Sequence, residues 1–199
     1  MSKRLSKFHK LCRGEVIAYP TESFYALGAD ATNPRAIRQL FLVKHRARGN
    51  PIALIAADLR QVRKFFYLSA EELRLAKKYW PGALTMLLKP KRQIAVSALL
   101  GLTTPSPLLP RRRGQAKVGV RVPAHAGARR LAKNAGVPLT ATSANISSQP
   151  PTKSRHKVKR DFPGILIMPG RCGNQQKPST VIEYQRRRII THRLGAVHV

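Results

Sequence analysis

Acidic residues are what this chain has least of: 8 Asp and Glu stand against 38 Lys and Arg in 199 residues, a formal net charge of +30. A surface of that sign repels itself and draws polyanions and counter-ions, so nucleic acid is the first partner the composition suggests. A compositional bias, with arginine replacing neutral surface residues, is the other reading. Cysteine is nearly absent. Cys12 and Cys172 form no disulfide framework and sit in no CxxC or Cys/His cluster, as expected of two incidental reduced thiols. Long apolar runs are missing too, none reaching the length of a membrane span, so no membrane contact is expected. The basic start, MSKRLSKFHKLCRGEV, lacks the apolar core and cleavage site of a signal peptide. The cytoplasm is therefore the default compartment, with an organellar transit segment as the alternative.

Several chemistries are excluded by the same kind of absence. There is no GxxxxGK[ST] phosphate loop, no GxGxxG after the first expected strand, no HExxH and no GxSxG. The acids, Glu15, Glu22, Asp30, Asp58, Glu71, Glu72, Asp161 and Glu183, include no pair spaced like a glycosidase dyad or a two-metal cluster. No protein-built metal site is expected, and any Mg²⁺ would arrive on substrate phosphates. His45, His125 and His192 have no acidic or nucleophilic neighbour in sequence, and no residue announces itself as a covalent nucleophile.

What is present is the patterning of one globular α/β domain over residues 1–199, with 43% apolar residues and regular Gly/Pro punctuation. The spacing predicts helices over 3–12, 31–44, 59–66, 69–80, 124–136 and 152–162. Asn33 is the expected cap of the second, with Pro34 in its first turn. Ser69 and Glu72 form a capping-box pattern at the start of the fourth. Strands are predicted at EVIAYP, PIALIAAD, ALTMLLKP, KVGVRVP, VPLTAT and GILIMPG, and a hairpin at STVIEYQRRRIITHRLG. Residues 91–116, with RRRG at 111–114, lose periodicity and read as a basic surface loop.

Four stretches carry candidate binding chemistry. Lys44 and Arg46 lie two apart where a helix gives way to an extended run ending at Asn50, a spacing that lets both cations face one anion. At this Lys/Arg density a chance pair is the competing explanation. PTES, with Thr21 and Ser23, ends a strand where open α/β sheets hold ligands, or is simply a turn. SANISSQPP, with Ser143 and Asn145, either binds a ligand with neutral donors and acceptors or satisfies its own backbone. Ser179-Thr180 is ordinary at a strand start.

Taken in order, GEVIAYPTESFYALGAD, KHRARGNPIAL, WPGALTMLL, VGVRVP, TATSANISS, PSTVIE and RLGA resemble the YrdC/TsaC family of threonylcarbamoyl-AMP synthases across residues 14 to 196. The resemblance implies a twisted mixed α/β sheet flanked by helices around a concave, positively charged site, in the short single-domain form. It implies formation of threonylcarbamoyl-AMP and pyrophosphate from L-threonine, bicarbonate and ATP, with Mg²⁺ carried on ATP, for the t6A modification at position 37 of tRNA. By resemblance, Lys44, Arg46, Asn50, Ser143, Asn145 and Arg193 match nucleotide-holding positions, with Lys44 and Arg46 acting electrostatically. Thr21, Ser23, Arg121 and Ser179 match positions near threonine. Transfer proteins of the t6A pathway and tRNA are the implied partners. Ser23 stands where the family usually has Thr, Ala26 where it has Gly, Ala47 where Pro often follows, and Ser148 where the loop has Gly. The alternative is an RNA-binding family member with weak or lost catalysis.

Overall fold

The computed structural model describes residues 14–45, 52–91, 94–95, 116–146 and 149–199. The helix expected at 3–12, Arg46, Ala47, Asn50, Ser148 and nearly all of the basic stretch 91–116 lie outside the described residues. Within them the strands are β1 (Ile17–Pro20), β2 (Tyr25–Gly28), β3 (Leu54–Ile55), β4 (Phe66–Tyr67), β5 (Leu84–Pro90) and β6 (Val118–Arg121). They continue with β7 (Leu139–Thr140), β8 (Thr142–Ser143), β9 (Leu166–Ile167), β10 (Thr180–Gln185) and β11 (Arg188–Arg193). The helices are α1 (Pro34–Lys44), α2 (Leu59–Phe65), α3 (Ala70–Tyr79), α4 (Ala126–Ala135) and α5 (Arg155–Asp161).

These strands divide between two sheets. One runs β8-β2-β1-β9, and the other β11-β10-β5-β6-β3-β7 with β4 paired to β5. Both mix parallel and antiparallel neighbours, as the alternating pattern leads one to expect. The run VPLTAT does not continue as one strand. Leu139 and Thr140 pair with β3, whereas Thr142 and Ser143 pair with β2, so the chain passes from one sheet to the other at Ala141. PIALIAAD narrows to a two-residue strand, and β2 forms just after the PTES turn, where no strand was expected from the sequence.

Helix boundaries follow local chemistry. The Asn33 side chain accepts from the backbone N–H groups of Arg35 (2.9 Å) and Ala36 (3.3 Å), satisfying donors that the first turn leaves without partners. Ser69 and Glu72 form the reciprocal capping box that opens α3. Gly136 adopts φ 72° and closes α4. In α1 the buried positions are Ala36, Ile37, Leu40 and Lys44, one stripe at helical spacing, so the periodicity that buries Leu40 also carries Lys44 inward.

The packing ties the sheets together. The larger core joins Leu27 of β2 and Leu40 of α1 to Leu54, Leu84, Met86 and Val120 of the other sheet. The smaller one sets Leu131 of α4 against Ile17 and Tyr19 of β1 and Ile55 of β3. Since α1 brings Lys44 to the seam between the sheets, its cap matters for the site. Asn33→Ala is expected to lower stability by about 1 kcal/mol, read as a lower urea midpoint with an unchanged slope.

Candidate active site

A cavity of about 580 Å³ opens at the seam, within the range of small-ligand sites. Its walls come from the strand ends just described. Thr21 and Ser23 follow β1, Thr85 is the second residue of β5, Arg121 ends β6, Ser143 ends β8, Ser179 precedes β10 and Arg193 ends β11.

The PTES turn is built by its own hydroxyl. Thr21 Oγ1 donates to the carbonyl of Phe24 (2.7 Å) and accepts from the N–H groups of Ser23 and Phe24 (both 3.3 Å). The turn is braced from outside by the Gly173 N–H on Thr21 O (2.9 Å) and the Gln175 N–H on Glu22 O (3.0 Å). A Cβ at Gly173 would come within 2.6 Å of Glu22 O, so this close approach requires glycine. Glu22 is buried, and its Oε1 accepts a charge-assisted bond from Arg121 Nη1. Beneath this pair lies Tyr19, whose hydroxyl donates to Thr140 O (2.8 Å). Burial pushes the Tyr19 phenol well above its ordinary value; the nearby Arg121 charge opposes the shift and Glu22 adds to it.

The opposite wall is held by the C-terminal stretch. Arg193 donates from Nε (3.1 Å) and Nη2 (2.8 Å) to Ser179 O and from Nη2 to Ser179 Oγ (3.2 Å). Ser179 Oγ lies 2.8 Å from Thr85 Oγ1, a buried hydroxyl pair between neighbouring parallel strands. Burial, and then the facing Arg121 charge, lower the Arg193 guanidinium from its ordinary value. Gly195 packs so tightly that a Cβ would sit 2.3 Å from Pro178 O, and the N–H of Ala196 bonds that same carbonyl (2.9 Å). PST and RLGA, at the two ends of the β10–β11 hairpin, thus form one structural unit.

Lys44 plays a different geometric part from the one its spacing suggested. It is the last residue of α1 and not part of an extended run, so the same-side argument with Arg46 does not apply to it. The residue is 4% exposed. Its Nζ donates to Ser143 O, to Ser143 Oγ (3.2 Å) and to Asn145 Oδ1 (3.1 Å). Asn145 in turn donates from Nδ2 to Ile146 O (3.1 Å) and to Gln149 O. Lys44 and Asn145 therefore shape the loop behind Ser143, while Ser143 itself faces the cavity.

The cavity thus gathers Thr21, Ser23, Arg121, Ser143, Ser179 and Arg193, with Lys44 and Asn145 bracing it from behind; Arg46 and Asn50 lie outside the described residues. Two contributors escaped the sequence reading. Thr85 was hidden in an apolar strand, where a lone hydroxyl between Leu84 and Met86 was the available signal. Glu22 lay inside PTES but was read only as an isolated acid. Ala26, where the family usually has Gly, faces Ser143 across the β2–β8 pair and lines the cavity. Among the described residues no group of three or more His, Cys, Asp or Glu side chains is arranged to hold a metal ion. Among them, too, no helix is long and apolar enough to cross a membrane.

Two measurements check this geometry. Lys44→Met removes the ammonium donor from Ser143 Oγ and Asn145 Oδ1 and leaves Ser143 O with the Asn145 N–H; it should cost about 1–3 kcal/mol, with faster hydrogen exchange at the amides of Ala144 and Asn145. For Tyr19 the folded-state pKa lies above the unfolded value, so its contribution to stability is complete below about pH 10. That contribution falls as pH rises further, because the unfolded chain releases the proton first. An alkaline titration followed by tyrosinate absorbance should find one phenol ionising only on unfolding, and Tyr19→Phe should remove that step.

Comparison with known proteins agrees with this architecture. The family model Sua5_yciO_yrdC, described as "Telomere recombination", matches residues 9–195. A threonylcarbamoyl-AMP synthase of Chromobacterium violaceum is 36% identical over 180 residues, covering 89% of this chain and 86% of that protein. One from Thiobacillus denitrificans is 35% identical over 182 residues, covering 90% of each. The crystal structure of P. abyssi Sua5 complexed with L-threonine superposes with a TM-score of 0.81 at 32% identity, covering 96% of this chain and 53% of that longer one. With a family model matched over nearly the whole chain and relatives at 35–36% identity along it, the chain belongs to the Sua5/YciO/YrdC family.

Proposed function

We propose that the protein is a nucleotidyltransferase, a threonylcarbamoyl-AMP synthase that joins L-threonine, bicarbonate and ATP. The observation that carries this reading is the composition of the cavity wall: two guanidinium groups and six Ser and Thr residues line it, with no covalent nucleophile or acid–base dyad among them. That set suits a reaction whose nucleophile is made from the substrates. The threonine amine attacks the bicarbonate carbon and water leaves, giving a carbamate. A carbamate oxygen then attacks the α-phosphorus, the bond from that phosphorus to the bridging oxygen breaks, and pyrophosphate departs with the electron pair.

The protein's task in such a reaction is to hold anions in line and offset charge on phosphoryl oxygens. In this reading Arg121, kept in place by Glu22, takes the threonine carboxylate, and Thr21, Ser23 and Ser179 complete that subsite. Ser143 and Arg193 hold the nucleotide, joined by Arg46 and Asn50, and Asn145 serves that subsite by shaping the loop behind Ser143. Lys44 fixes the Ser143 loop and contributes its charge from behind. Mg²⁺ enters only with the phosphates of ATP. The product would feed t6A formation on tRNA through threonylcarbamoyl-transfer proteins, in the cytoplasm.

Pyrophosphate release, measured with each substrate omitted in turn, tests the proposal. Release should require threonine, bicarbonate and ATP together, and Arg121→Ala should lower kcat/KM for threonine by about 10- to 100-fold. Release that ignores threonine would sink the reading. Tight RNA binding with no product under any condition would favour the noncatalytic alternative.

A further inference from the structure

The sheet has a second end. Thr85, Arg121, Ser179 and Arg193 lie at the cavity end of β5, β6, β10 and β11. β5 and β10 run parallel from there, Leu84 beside Thr180 and Met86 beside Ile182, and β5 continues to Pro90, about 20 Å away. Continuing that register brings Gln185 level with Lys89. Leu88 pairs with Val118, and the neighbouring Lys117 reaches across to Tyr184 O (3.2 Å), which holds β5, β6 and β10 together at this end.

The far end is basic and partly aromatic. The β10–β11 hairpin turns on Arg186 and Arg187, followed by Arg188, all exposed. Arg186 and Arg187 hold φ 50° and 62°, the left-handed region that hairpin turns normally assign to Asn or Gly. Placing two arginines there goes against local backbone preference, and departures of that kind concentrate at functional sites. At the same end of the sheet Tyr67, paired with Lys89 across β4 and β5, is 57% exposed, with the ammonium groups of Lys91 and Lys89 lying 5.2 and 5.7 Å from its ring centroid. The acids nearby are occupied: Glu183 pairs with Lys117 (2.9 Å) and His192 (3.0 Å), and Glu71 with Arg74 (2.5 Å).

We propose that this end of the sheet is an RNA-binding surface, remote from the cavity. Arg186, Arg187, Arg188, Lys89 and Lys91 take backbone phosphates, and Tyr67 offers its ring to an unpaired base. Cations set around an exposed aromatic match the charged track and stacking platform that single-stranded nucleic acid requires. The proposal goes beyond the synthase reading and does not depend on it.

The test is fluorescence anisotropy of a labelled stem–loop RNA with the full chain, in the absence of ATP and threonine, over a range of salt. Arg186→Asn with Arg187→Gly installs residues the turn prefers, so folding is retained while two cations are removed. Affinity should fall about tenfold or more, and the slope of log K against log salt should shrink by about 1 to 2. Arg130→Gln with Lys133→Gln removes the same charge from α4 and should have a much smaller effect. Equal losses in the two double variants would assign binding to net charge alone and overturn the proposal, as would an unaltered affinity in the hairpin variant. Tyr67→Ala should weaken binding of the stem–loop but not of a blunt duplex, and an equal effect on both would remove the stacking role. RNA binding left intact, with a loss of binding to phosphatidylglycerol vesicles, would assign the surface to membranes instead. Threonine-dependent pyrophosphate release without RNA should be unchanged in the hairpin variant, so failure here is distinct from failure of the synthase reading.

Discussion

Five consecutive residues, Leu139 to Ser143, give their backbone groups to both sheets, and the rest of the architecture is arranged around that shared segment. Leu139 and Thr140 pair with β3, and Thr140 also exchanges bonds with Ala29 through its N–H (2.9 Å) and its Oγ1 (2.7 Å). Ala141 N–H bonds Ala53 O (2.8 Å), after which Thr142 and Ser143 pair with β2. Because side chains alternate along a strand, a slip of one residue here would turn Ser143 away from the cavity. Lys44 acts against such a slip by fixing the end of the segment to α1, with the buried phenol of Tyr19 as a second brace at Thr140.

Much of this was legible in the sequence, for reasons that differ by element. Asn33-Pro34 and the Ser69/Glu72 box specify helix starts by local hydrogen bonding, so they could be placed without knowing the fold. The terminal hairpin followed from the spacing of its two apolar runs. The division into two sheets was not legible. It depends on long-range pairing of two-residue strands, and the apolar runs PIALIAAD and VPLTAT look alike whether they continue in one sheet or change partners. The inward position of Lys44 was available in principle, because it shares the stripe of Ile37 and Leu40, but a lysine is ordinarily assigned to the surface.

The candidate site was legible only as an ordered set. Thr21, Ser143 and Ser179 are each unremarkable hydroxyls, and nothing local says that three segments so far apart meet in one cavity. Their meeting depends on the parallel β5–β10 pair and on the crossing between sheets, both long-range features. Glu22 illustrates the same limit from the other side. In sequence it is one acid among many cations, and only the fold selects Arg121 as its partner.

The Thr85–Ser179 pair gives the cavity wall a property that fixed cations lack. Arg193 donates to Ser179 Oγ, so the Ser179 proton is directed toward Thr85 or toward a ligand. Either hydroxyl can serve as donor within the pair, and rotation about one C–O bond exchanges the roles without moving a heavy atom. The wall can therefore turn a hydroxyl donor toward the cavity or keep it within the pair. Its polarity is adjustable at the cost of one torsion, and neither hydroxyl depends on a ligand for a partner.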